Sequence, residues 1–190
     1  MLIAAIAVAL TINVSAASDI PPTLVSRALA ETDAIWRAAG VEFVWQCGPA
    51  AHTPAALHVV IGHEVRPVRE GTFALGWIYF DESTPGHRVY VSHANVQQLM
   101  VESRGVVGPL DRMPMFERET LMARALGRAL AHELGHFFLA SKAHTNAGLM
   151  KAHRTATEFF GPDDRPFKLD GEQRSLITAR LARETLLVSR

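Results

Sequence analysis

Apolar and polar positions along this 190-residue chain follow two different periods. Short runs rich in Val, Ile, Trp, Tyr and Phe cover 41–47, 56–61, 72–80 and 88–92 and predict strands. Helical spacing joins Leu24, Ala28, Leu29, Ala34, Ile35 and Ala38; Pro21-Pro22 opens this helix and Gly40 stops it. Further helices are expected over 93–103 and 115–139, and the last one follows Asp170, which forms a capping-box pattern with Gln173. Ser83-Thr84-Pro85-Gly86 signals a turn, and 105–114 and 161–166 read as loops. Strands first and the long helix afterwards favour an α+β class over a doubly wound sheet. The expected architecture is a mixed twisted sheet of about four strands packed on the long helix, with flanking N- and C-terminal helices.

The unbroken apolar run at 2–10 is followed by Thr11, Ile12, Asn13 and Val14. It is too short to span a bilayer, which needs about 20 apolar residues. Its length fits the apolar segment of a secretory signal, with Val14-Ser15-Ala16 or Ser15-Ala16-Ala17 as a small-residue cleavage site. No Lys or Arg precedes it, so the usual basic start is missing. The expectation is a signal peptide or weak anchor at 1–17, then one domain at 18–190 exported to the periplasm or beyond. The alternative is a buried N-terminal strand or helix.

Composition narrows the function classes. Nineteen Lys+Arg balance nineteen Asp+Glu, so no basic excess points to nucleic acid and no acidic tail is present. One cysteine cannot form an internal disulfide. Nine histidines are more than usual, and their placement matters more than their number.

His132-Glu133-Leu134-Gly135-His136 lies on the long helix. Residues four apart share a helix face, so both imidazoles can reach one metal ion. Glu133 would lie beside that ion, where it can take a proton from water. Nine His and twelve Glu in 190 residues produce such a motif by chance roughly once in 40 chains. The helical wheel adds to it. Leu121, Ala125, His132, His136 and Leu139 share one face; Leu126, Leu130 and Phe137 form a second apolar face; Glu117, Arg124 and Arg128 form a narrow polar stripe. Glu133 falls off that stripe, in a place where a carboxylate is costly unless paired or near a cation. Hydrogen-bonded core histidines and a salt-bridged acid would be the structural alternative.

His144 follows His136 by eight residues. On a continuous helix it would lie about 12 Å further along the axis, too far to share a metal. The helix must therefore break between about 139 and 142 if His144 is the third ligand, and no Gly or Pro marks the break. His153 and Glu158 are the rival third ligands.

His132-Glu133-x-x-His136, a third His in a following turn, and Gly148-Leu149-Met150 beyond it resemble the zincin metallopeptidases, most closely the metzincin branch. The stretch from Ala131 to His144 is also similar to a group of small exported bacterial predicted metalloproteases. The resemblance implies a zincin-like catalytic domain holding Zn2+ on His132, His136 and His144, with Glu133 as general base and Met150 as the Met-turn residue. It also implies a peptide or protein substrate extended along an edge strand, for which 72–80 is the candidate. Two departures stand out. The usual HExxHxxGxxH pattern has glycine where this chain has Leu139 and histidine where it has Lys142. The tyrosine that commonly follows the Met-turn residue by two positions is Ala152 here, leaving Tyr79 and Tyr90 as candidate oxyanion donors or simple sheet residues.

Cys47 could in principle supply a thiolate ligand, but its place at the end of a predicted strand reads as a buried structural thiol. The function expected from these residues is zinc-dependent peptide hydrolysis. A non-catalytic exported zinc-binding module on the same scaffold is the alternative.

Overall fold

The computed structural model describes residues 8–48, 56–69 and 72–188. Its chain order is β1 (Val8–Ala16), α1 (Pro22–Arg37), β2 (Val41–Cys47), β3 (His58–Gly62), β4 (Pro67–Arg69), β5 (Thr72–Phe73), β6 (Gly76–Asp81) and β7 (Thr84–Ser92). The helices α2 (His93–Glu102), α3 (Arg104–Val107), α4 (Met115–Leu139), α5 (Ala156–Phe160) and α6 (Gly171–Val188) follow. Five strands form one mixed sheet in the order β2-β1-β3-β7-β6, and β4 and β5 form a small separate ribbon. β1, β2, β3 and β7 run parallel, and β6 pairs antiparallel to β7 at the sheet edge.

Part of the N-terminal apolar run has a place in the sheet, as the alternative of a buried N-terminal strand expects. Residues 2–7 of it lie outside the described residues, but Val8–Ala16 is a strand inside the sheet, paired with β2 on one side and β3 on the other. The reason is a period of two. Leu10, Ile12 and Val14 alternate with Thr11, Asn13 and Ser15, which is the pattern of a half-buried strand. Ile12 and Val14 are buried in the core, and Asn13 donates its backbone N–H to the Leu57 carbonyl at 3.0 Å. This strand is also the fifth one, beyond the four expected.

α1 and α4 cover one face of the sheet and pack on each other. Thr32 Oγ1 donates to the Gly127 carbonyl (3.0 Å) and Trp36 Nε1 to the Ala131 carbonyl (3.3 Å), tying the two helix backbones together. Trp36 then meets Phe43 and Phe138 edge-on, joining α1, β2 and the end of α4. The helix carrying the histidines is thus clamped between a sheet and a second helix. Among the described residues, no helix is long and apolar enough to cross a membrane.

Other expectations shift in detail. The β6–β7 hairpin turns at Glu82 and Ser83, so Thr84, Pro85 and Gly86 lie in β7 rather than in the turn. The expected strand at 72–80 is divided between β5 and β6. The loop at 105–114 begins with the short α3, and α5 is a helix that the apolar pattern does not predict. Cys47 ends β2 as expected, but it is exposed rather than buried; the neighbouring Pro49 lies outside the described residues. The capping box of the last helix is present. Gln173 N–H donates to Asp170 Oδ1 (2.7 Å), and Asp170 N–H donates to Gln173 Oε1 (3.2 Å).

Arg128 corrects the helical wheel. Helical spacing puts it on the polar stripe, yet its side chain is 1% exposed. Its guanidinium pairs with Glu31 (2.7 Å) and donates to the carbonyls of Glu158, Phe159 and Gly161, so it satisfies the C-terminal end of α5 from inside the protein.

Candidate metal centre

The three histidines meet because α4 ends where it does. Ala140 adopts a left-handed conformation (φ 47°, ψ 44°), a position usually given to glycine. Ser141 N–H then bonds back to the His136 carbonyl at 3.2 Å. The chain reverses there, and Thr145 N–H bonds to the Met150 carbonyl (2.9 Å), closing a loop that carries His144 back to the helix. The rings of His132 and His136 have centroids 4.7 Å apart, and His144 lies 5.3 Å and 4.8 Å from them. One ligand atom from each falls within 4.8 Å of the other two, and among the described residues no other group of three His, Cys, Asp or Glu gathers this closely.

The hydrogen bonds decide which nitrogens are free. His132 Nδ1 lies 2.8 Å from the Leu149 carbonyl, and His136 Nδ1 lies 2.7 Å from the Ser141 carbonyl. Carbonyls only accept, so each Nδ1 carries the proton and each Nε2 presents a lone pair. Those two Nε2 atoms are 3.1 Å apart. Protonating one of them would relieve the contact, but burial pushes His132 down to about 3, and burial also lowers His136 and His144. Two buried lone pairs facing each other at this distance repel, and a divalent cation between them reverses the sign. The site therefore fits a metal ion with nitrogen preference, and a set of three imidazoles is of the kind that suits zinc.

Glu133 is buried beside this cluster, at 7% exposure. Burial raises its carboxyl from 4.5 to about 8, opposed by the positive charge of Arg66. Its room comes from the edge strand. A Cβ on Gly76 would stand 2.8 Å from Glu133 Cγ and 3.0 Å from the Tyr90 carbonyl, so any larger residue there would push the carboxylate aside. The sequence offers no sign of this contact, because Gly76 and Glu133 are far apart along the chain.

Met150 is buried under the histidine helix, where its sulfur lies against Gly135 so closely that no side chain fits at that position. The two variable positions of the motif thus differ in kind. Leu134 fills the core, and Gly135 leaves space for the sulfur.

The rival third ligands do not join the cluster. Glu158 instead bonds Lys151 Nζ (2.9 Å) and caps α5 through the Thr155 backbone (2.8 Å). His153 is exposed on the loop beyond Met150. The tyrosines stay with the sheet. Tyr90 stacks on Trp77 at 5.4 Å and meets Tyr79 edge-on at 5.9 Å. Their neighbours Ile78, Val89 and Val91 are the residues that point into the core, so the tyrosines belong to the face away from α4.

The fold matches solved structures, although no family model and no curated protein matches the sequence. It is similar to archaemetzincin from Methanopyrus kandleri, with a TM-score of 0.53 and 16% identity over 92% of this chain and 96% of that one. Metalloproteinase-II from Bacteroides fragilis aligns at a TM-score of 0.47 and 10% identity, covering 90% of this chain and 53% of that one. The chain has an archaemetzincin-like zincin fold.

Proposed function

We propose that this chain, with its archaemetzincin-like fold, is a zinc metallopeptidase whose metal ligands are His132, His136 and His144 and whose general base is Glu133. The observation that supports it most is the pair of bare Nε2 atoms 3.1 Å apart, each fixed by an Nδ1–H bond to a backbone carbonyl. Zinc bound there supplies a Lewis acid and brings the pKa of water toward ~7.

The protein's own groups do the rest. Burial raises the proton affinity of Glu133, so it can take a proton from the attacking water and later pass it to the leaving amine. Gly76 keeps that carboxylate in place by leaving it room. β6 is the edge strand beside Glu133, and an extended peptide paired to it would bring its carbonyl over the site. With both tyrosines on the far face of the sheet, no side-chain oxyanion donor stands out among the described residues. That observation favours the second reading, a zinc-binding module without catalysis.

The test uses zinc-loaded wild type and Glu133→Ala on a broad peptide library, with and without chelator. Wild type is expected to cleave and to be silenced by chelation. Glu133→Ala is expected to keep its zinc and lose about 10²- to 10⁴-fold in rate. Zinc binding without cleavage by wild type would establish the non-catalytic module, and cleavage by Glu133→Ala at wild-type rate would remove Glu133 from the mechanism.

A further inference from the structure

Arg154 lies outside the motif, four residues beyond Met150, yet its side chain is only 3% exposed. A buried guanidinium must spend its donors on fixed acceptors. Nη2 donates to the carbonyls of Gly148 and Leu149, the second at 3.0 Å, and Nη1 donates to the Pro166 carbonyl at 3.2 Å. Its carbon lies 3.9 Å over the ring of Phe167, and Glu158 Oε1 is 3.5 Å away. One cation thereby ties the Gly148-Leu149 backbone to the segment Arg165–Phe167, which the sequence places well downstream.

The Leu149 carbonyl has a second partner. It is the acceptor for His132 Nδ1–H at 2.8 Å. A carbonyl has two lone pairs, so the guanidinium and the imidazole can share it, and whatever fixes this carbonyl fixes the ring of His132. We infer that Arg154 is a positioning residue for the metal centre: through the shared Leu149 carbonyl it sets the orientation and the Nδ1–H tautomer of His132. This rests on His132 being a metal ligand.

Arg128 provides an internal control. It too is a buried arginine that donates to backbone carbonyls and lies over Phe167, at 5.0 Å. Its carbonyls are those of Glu158, Phe159 and Gly161, none of which accepts from a histidine of the cluster. If buried arginines act here only by holding the fold, the two should behave alike. If Arg154 acts through His132, only Arg154 should alter metal binding by the folded protein.

The experiment measures zinc dissociation constants by chelator competition, and Co2+ absorption spectra, on full-length wild type, R154Q, R154K, R128Q and H136A. Thermal unfolding of each metal-free protein is followed alongside. R154Q is expected to bind zinc about 10- to 100-fold more weakly, the usual cost of losing an outer-sphere partner, and to shift the Co2+ spectrum. R154K, whose ammonium cannot grip both carbonyls and Pro166 together, should fall between R154Q and wild type, and it carries the test if R154Q fails to fold. R128Q should unfold at lower temperature yet bind zinc like wild type while folded. Zinc binding by R154Q as tight as wild type, or an equal loss in R128Q, would overturn the assignment. Loss of binding in H136A alone would leave the metal centre standing while Arg154 drops out. Absence of zinc binding by wild type would overturn both.

Discussion

Two stretches of this chain carry strong sequence signals, the apolar run at 2–10 with the residues up to 16 that follow it, and 132–150, and the signals differ in kind. In the second, the signal is chemical and local. Two histidines four apart on a helix face the same way whatever surrounds them, and the third has to return because a continued helix would carry it away. In the first, the signal is apolar content, which a leader, a core helix and a buried strand all share. What separates them is the alternation of Leu10, Ile12 and Val14 with Thr11, Asn13 and Ser15, masked by the unbroken apolar run just before it. Spacing of reactive groups constrains structure more tightly than hydrophobicity does.

The contrast can be broken most severely at the N-terminus. A chain beginning at Ser18 lacks the strand between β2 and β3 and is expected to lose its cooperative unfolding transition and its near-UV circular dichroism. A truncated protein that folds and binds zinc like the full chain would support the leader reading. A smaller version of the same test is Ile12→Asp. Ile12 is 1% exposed, so an unpaired carboxylate there should cost on the order of 3 kcal/mol in chemical denaturation, whereas Asn13→Asp on the other face should be nearly neutral.

The site end of the comparison is sharpened by pH. In the metal-free protein, Glu133 holds its proton more tightly folded than unfolded, so its contribution is complete below about 4.5 and is lost as pH rises toward about 8. His132, His136 and His144 have the opposite sign. Their lowered values stabilise the fold above 6.5 and cost stability as pH falls below it. By about 7.5 the histidines have lost their protons in the unfolded chain as well, and from there to about 8 only Glu133 among these four is titrating, so the unfolding temperature of the metal-free protein should fall across that window. Glu133→Gln should flatten the fall; a flat wild-type profile would mean the carboxylate is solvated.

The smallest effect is at the break itself. Ala140 takes a left-handed conformation that costs a residue with a Cβ roughly 1 kcal/mol, so Ala140→Gly should raise stability by about 0.5–1 kcal/mol without altering zinc affinity. Weaker zinc binding in that variant would show that the tight helix end also helps to place His144.

By itself the sequence determined what depends on near neighbours. The bounds of α4, the shared face of His132 and His136, the break near Ala140 and the Asp170–Gln173 capping box all follow from contacts a few residues apart, which helix geometry dictates. Tertiary structure decided the rest. The place of Val8–Ala16 between two parallel strands, the burial of Arg128, the room that Gly76 leaves for Glu133, and the carbonyl that Arg154 shares with His132 join segments widely separated along the chain. A polar or small residue looks the same in sequence whether it faces water or a partner brought from far away. Only the path of the chain, settled by burying the core as a whole, supplies that partner.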